Sequence, residues 1–162
     1  MLTMRKIFVI AASLIFLFLA DSCKKENDAS NGNGLFLFDK KQFYDCSASQ
    51  NIDSTILSNQ LIGSWKWTYF LNEKGSDGKA INGKANKDVK VTFTNTGTFS
   101  ISENSTVITQ GNWNVFFENN NGYKLNLSVP SSYLFGSILL CDNQILFNGS
   151  YVDGSDYVYT KN

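Results

Sequence analysis

Gly63-Ser64-Trp65-Lys66-Trp67-Thr68-Tyr69-Phe70-Leu71 puts Trp65, Trp67, Tyr69 and Leu71 at every second position, with Ser64, Lys66, Thr68 and Phe70 between them. A period of two is that of a strand with one buried face, because successive side chains point to opposite sides of a sheet. The pattern continues downstream. Val89, Val91 and Phe93 alternate with Asp88, Lys90 and Thr92; Asn95-Thr96-Gly97 reads as a tight turn; Phe99 and Ile101 resume the alternation. Asn104-Ser105 reads as a second turn. Val107 to Phe117 follows as a long strand with Trp113, Val115 and Phe117 on one face, and Gly111 inside it predicts a bulge or a sharp bend. Glu118 to Gly122 closes a hairpin onto an inward row of Tyr123, Leu125, Leu127 and Val129. Pro130-Ser131-Ser132 interrupts. Leu134 to Cys141 reads as a strand, Asp142-Asn143 as a turn and Ile145 to Phe147 as a strand. Asn148 to Gly154 runs out to another turn, and Tyr157 to Lys161 closes the series. Asn72 to Lys87, rich in Gly and Lys, reads as a loose first loop.

About eight strands joined by short antiparallel turns predict a sequential meander. The expected fold class is all-β, an eight-stranded antiparallel up-and-down meander. Closing it into a small β-barrel removes the edges that invite aggregation. A two-sheet sandwich is the structural competitor, but it needs long crossovers that this chain lacks outside the first loop.

Upstream, Asp53 or Ser54 is placed to cap a short helix carrying Ile56, Leu57 and Leu61. Leu35 to Tyr44 (LFLFDKKQFY) holds four aromatics in ten residues and is expected to pack as a strap on the barrel. Lys24 to Gly34 (KKENDASNGNG) reads as a flexible tether. Glu26 and Asp28 within it are either sorting residues or plain solvated linker. Before it, Arg5 and Lys6 precede an apolar run from Ile7 to Ala20, too short to span a bilayer comfortably and typical of an export signal.

Leu19-Ala20-Asp21-Ser22-Cys23 resembles a bacterial lipobox, in which the Cys receives fatty-acid chains such as palmitate and becomes the mature N-terminus. Ala20 stands where that pattern prefers Leu, and Asp21 departs from it. An ordinary cleaved signal with an incidental Cys is the other reading. The expected organisation is therefore a lipoprotein signal peptide (residues 1–22), a tether (23–34), a strap with a short helix (35–60) and a barrel domain (61–162). The expected location is the cell envelope, lipid-anchored at Cys23, with the outer membrane favoured.

Leu61-Ile62-Gly63-Ser64-Trp65 resembles the lipocalin G-x-W motif. The stretch from Leu61 to Lys161 is more similar to the short bacterial lipocalin-like domain lipoproteins. Those run L-x-G-x-W, then F-x-x-x-G-T-F (Phe93 to Phe99), then G-x-W (Gly111 to Trp113), and end near D-G-x-D-Y-x-Y-x-K (Asp153 to Lys161). The resemblance covers about 100 residues. It implies an eight-stranded barrel with Trp65 plugging one end, Gly63 letting the chain turn in, and at most a small hydrophobic ligand. Lipocalins usually set an Arg late in the chain over that Trp; here the last strand offers only Lys161. They also carry a helix after the last barrel strand, and none is legible here.

Composition narrows the chemistry. The chain has no His, which removes the commonest general base and metal ligand together. Arg5, Lys6 and Asp21 fall in the signal, so the remaining chain holds 12 basic and 13 acidic residues, formally −1. That balance gives no electrostatic footprint for nucleic acid. No acid pair, nucleophile elbow or phosphate loop is present, so an enzyme, a cofactor and a resident metal are not expected. With Cys23 lipidated, Cys46 and Cys141 remain as a disulfide pair in an oxidising compartment, or else as two free thiols. Trp65, Trp67, Tyr69, Trp113 and Tyr123 either line a ligand cavity or fill a core. Asp153-Gly154-Ser155-Asp156 reads as a turn, since two carboxylates fall short of a calcium shell. Asp53-Ser54-Thr55 reads equally as a helix cap or as an O-glycosylation sequon. Two functions follow: a barrel holding a small hydrophobic ligand, or a filled barrel that meets a protein or glycan partner.

Overall fold

The computed structural model describes residues 38–74, 80–152 and 154–162. The signal segment, Cys23, the tether, Leu35 to Leu37 and Asp153 lie outside the described residues. Two helices, α1 (Lys40–Ser49) and α2 (Ser54–Leu61), precede nine strands: β1 (Gly63–Lys74), β2 (Ala80–Lys84), β3 (Val89–Phe93), β4 (Thr98–Glu103), β5 (Thr106–Glu118), β6 (Gly122–Leu127), β7 (Ser137–Cys141), β8 (Gln144–Asn148) and β9 (Asp156–Lys161). All pairings are antiparallel, between sequence neighbours except that β1 pairs with β3 and with β9, which closes an eight-stranded barrel of β1 and β3 to β9.

The ninth strand, β2, corrects the reading of Asn72 to Lys87 as a loose loop. Part of it folds back as a hairpin on the far half of β1, with Tyr69 opposite Lys84 and Lys74 opposite Ala80. The near half of the same β1 edge pairs with β3, from Gly63 opposite Phe93 to Lys66 opposite Lys90. The turns sit where expected. Asn104 and Ser105 both take positive φ, at 50° and 66°, and Asp142 does the same at 50°. Short polar side chains tolerate that conformation better than most.

Gly111 is not a bulge. It pairs in register with Phe99, and the register shift lies instead between Thr109 and Val107 of β5. Gly111 is needed for space: a Cβ there would lie 2.5 Å from Ser128 Oγ and 3.1 Å from the Phe99 ring. Leu134, expected to open a strand, lies ahead of it. Ser132–Leu134 forms a 3-10 turn, with Ser131 Oγ accepting from Tyr133 N, and β7 starts only at Ser137.

The helix read at Asp53 is α2, and Asp53 caps it by accepting from the Ile56 N–H at 2.7 Å. Leu57 and Leu61 are buried against the barrel's base, while Ile56 faces outward. The described part of the strap is largely helical. Asp39 caps α1 by accepting from Gln42 N–H, and Phe38 and Phe43 are buried with Leu71, Leu146 and Val158 on the barrel's outer face. The Cys46–Cys141 disulfide ties α1 to the end of β7, with Cα atoms 5.6 Å apart.

Candidate functional site

The predicted inward row does not stay on one face. Opposite β9, Trp67 pairs with Tyr159 but Tyr69 pairs with Val158, so β1 carries an extra residue at Thr68. An inserted residue reverses the facing of everything beyond it. Trp65 and Trp67 therefore point into the barrel, and Phe70 packs against that same core. Tyr69 and Leu71 point outward beneath α1, where the Tyr69 ring meets Phe38 at 5.7 Å. Tyr69 is thus removed from the candidate cavity residues.

Trp65 lies at the base, fully enclosed above α2. Its indole N–H donates to Leu61 O at 2.7 Å. Lys161 Nζ stands 5.0 Å from the ring centroid and donates to Gln60 O at 2.9 Å. Gly63, at φ +128°, makes the turn from α2 into β1; a Cβ there would press on Lys161 Cε at 3.1 Å. The last strand, the base helix and the Trp are joined at one point.

Further up, Trp67 N–H donates to Tyr69 O, and its ring meets Tyr157 edge-on at 5.3 Å and Tyr133 at 5.8 Å. Trp113 meets Phe93 edge-on at 4.9 Å, and Tyr123 donates to Ile52 O at 3.2 Å. Phe147 and Tyr159 pack at right angles. Four of the five aromatic candidates face inward, and each is in contact with other side chains. Trp65, Trp67 and Trp113 belong to one buried core cluster, with Tyr123 packed against it.

Sequence reasoning missed the plug at the barrel's other end, here called the rim. Between β6 and β7 the chain folds back over the opening and inserts Tyr133. Tyr133 donates to Glu103 Oε2 at 3.2 Å, and Tyr159 donates to Tyr133 O at 2.9 Å. Burial pushes the Tyr159 hydroxyl well above the ordinary tyrosine range, and neighbouring Tyr157 and Tyr133 add to the shift. Tyr133 and Tyr157 rise for the same leading reason. The run from Pro130 to Phe135 signals only a break in the strand pattern, so its inward Tyr is not legible locally.

The same fold-back opens the wall. β6 and β7 share a single pair, Lys124 with Ser137. Where they part lies a half-open cleft of about 280 Å³, lined by Leu125, Leu127, Pro130, Leu134, Phe135 and Tyr151 among others. Lys124 at its lip pairs with Glu118 and sits 5.3 Å from the Tyr151 ring centroid.

Compared with known proteins, the chain matches no family model, no curated protein and no solved structure.

Two further polar clusters are structural. The Asp156 carboxylate is fully buried and accepts from Ser150 N (2.8 Å), Ser150 Oγ (3.1 Å), Asn72 Nδ2 (3.0 Å) and Lys40 Nζ (3.5 Å). Those donors take up its oxygens, so it serves as a hub between α1, β1 and the β8–β9 turn. Cys46, Cys141 and Asp142 cluster closely, but the two sulfurs are joined to each other and do not offer thiolate ligands.

Proposed function

We propose that this chain is an exported lipoprotein, anchored in the cell envelope through Cys23, whose filled lipocalin-like barrel works as a non-enzymatic interaction module. The observation that carries the second half is the packed interior. Trp65, Trp67, Trp113, Phe93, Phe147 and Tyr159 occupy the axis where a lipocalin would hold its ligand. Binding then falls to the outer surface, toward a protein, glycan or lipid. The anchoring half rests on the sequence: Arg5 and Lys6, the run from Ile7 to Ala20, the Ser22-Cys23 junction and the polar tether. The lipocalin likeness is supported by barrel closure, by Trp65 at the base and by Lys161 over its ring, where the family sets an Arg.

A second reading keeps a small hydrophobic ligand but moves it from the axis to the cleft between β6 and β7. The cleft's apolar lining favours it, and its volume sits just under the roughly 300 Å³ at which drug-sized pockets begin. One preparation tests both. The full chain is expressed in an exporting bacterial host with a fatty-acid probe. Label on the mature protein, lost in Cys23→Ser, is the expected result; unlabelled mature protein rejects the anchor. Titration with an environment-sensitive apolar dye should leave dye and tryptophan emission unchanged. Saturable binding abolished by Leu127→Glu would favour the cleft reading.

A further inference from the structure

The meander alternates its turns between two ends. The α2 base receives the β3–β4, β5–β6 and β7–β8 turns and the end of β9. The rim receives the β1–β3 connection, the β4–β5 turn, and the β6–β7 and β8–β9 segments. Exposed large apolar side chains are distributed unequally between them. Val107, Ile108, Val129, Phe135, Tyr151 and Val152 are all exposed on rim segments, and Ile81 on β2 extends the row. Away from the rim, only Ile56, Phe116 and Phe117 are exposed among the described residues, and Phe117 is engaged edge-on with Tyr123 at 5.1 Å.

The N-terminal segment leaves from the same end. Lys40 at the start of α1 reaches Asp156 at the rim, whereas Cys46 further along α1 is bonded to Cys141 next to the base turn. Helix α1 thus runs from rim to base, and the chain preceding Phe38 departs at the rim. Residues 24–37 number 14 and reach at most about 50 Å when fully extended. Tethering at the rim raises the effective concentration of that end at the surface holding the tether.

We propose that the rim is a membrane-docking face, its exposed Val107, Ile108, Val129, Phe135, Tyr151 and Val152 seated in the lipid interface while the base points away. This rests on the Cys23 anchoring reading. Tyr151 suits the interface, since an amphipathic ring stays partly wet there. Charge does not drive the contact. The rim's Lys87, Lys40 and Lys124 are each paired with a carboxylate, with Glu103 at 3.1 Å, with Asp156 at 3.5 Å and with Glu118 respectively. Docking is therefore expected on neutral lipid and should be insensitive to salt, because burial of apolar area is not screened.

The test uses the full chain, purified after export and reconstituted in phosphatidylcholine–phosphatidylethanolamine vesicles. Single cysteines at Ile108, at Tyr151 and, as a base control, at Thr96 are labelled with the fluorophore NBD. Retained thermal transitions show that each variant is folded, and two independent rim positions guard against the loss of one. The expected result is blue-shifted NBD emission, quenched by nitroxide-bearing lipid, at Ile108 and Tyr151 but not at Thr96. Mass spectrometry of the same sample reports lipid on Cys23 separately. An anchored protein whose rim labels stay in water overturns docking and leaves anchoring intact. An unlipidated chain that also fails to bind vesicles overturns both. A rim shift that appears without vesicles and grows with protein concentration assigns the face to a second copy of the chain, and also overturns the proposal.

Discussion

Trp65 gathers three separate constraints on one side chain: an indole N–H held by Leu61 O, a ring beneath Lys161 and a turn that only Gly63 makes without strain. Trp65→Ala should lower the unfolding free energy by about 3–5 kcal/mol, since a large cavity opens and Leu61 O loses its donor. Lys161→Met keeps the aliphatic stem and removes the charge, and should cost about 1 kcal/mol, in the range of a partly exposed cation–π contact. Urea titration followed by tryptophan emission measures both. A loss under about 1 kcal/mol for Trp65→Ala would reject its role as the base plug. Asp156 is the second residue on which distant segments meet. Asp156→Ala strands Ser150 N–H and the Asn72 amide, and should cost about 3 kcal/mol. Asp156→Asn keeps the shape and should recover part of that loss. Calorimetric melting of the two variants side by side decides whether the hydrogen bonds or the side-chain volume matter.

Among the elements, the strands were legible and their facing was only partly so. Val89, Val91, Phe93, Phe99 and Ile101 are buried as their alternation implies, because β3 and the inward part of β4 pair without interruption around them. On β1 the alternation of large side chains runs straight through Thr68, yet the backbone inserts a residue there. Tyr69 and Leu71 are apolar enough for either face, so nothing in their identity betrays the switch. The outer cover, α1, explains why the switch is tolerated: it gives the flipped residues a second core with Phe38 and Phe43. Only Phe43 of α1 is buried, so KKQFYDCSAS shows no apolar stripe and its helicity is not visible in sequence. A helix of ten residues with one buried anchor depends on tertiary attachment. The disulfide supplies it, closing a sequence separation of 95 residues. Replacing Cys46 and Cys141 together by Ser should therefore destabilise the protein by up to about 4 kcal/mol on the chain-entropy account. Hydrogen exchange should rise first at residues 40–49, while the barrel strands stay protected. Uniform loss of protection would mean that α1 and the barrel are one cooperative unit.

For the molecule as a whole, the filled axis has a consequence that pH can read. Tyr133, Tyr157 and Tyr159 come from the rim fold-back and from β9, and meet under the opening around Trp67. All three hydroxyls are held above the ordinary value of 10.0, chiefly by burial. Below that value the folded and unfolded chains both carry neutral phenols, so this contribution to stability is fully present. Above it the unfolded chain releases protons that the folded chain retains. The unfolded state then binds fewer protons, and stability falls as pH rises through that range. Unfolding should accordingly become progressively easier above about pH 10, with the tyrosinate absorbance of this group appearing together with loss of tryptophan packing and not before it. Tyr159→Phe separates this effect from general alkaline damage. It removes the donor to Tyr133 O and should cost about 1 kcal/mol at neutral pH. It also deletes the most strongly shifted hydroxyl, so the variant's stability should fall less steeply than the parent's between pH 10 and pH 12. Parallel urea titrations across that interval measure the two slopes. Equal slopes would mean that Tyr159 reaches water in the folded state, which would contradict the packed axis and return the barrel interior to consideration as a ligand cavity.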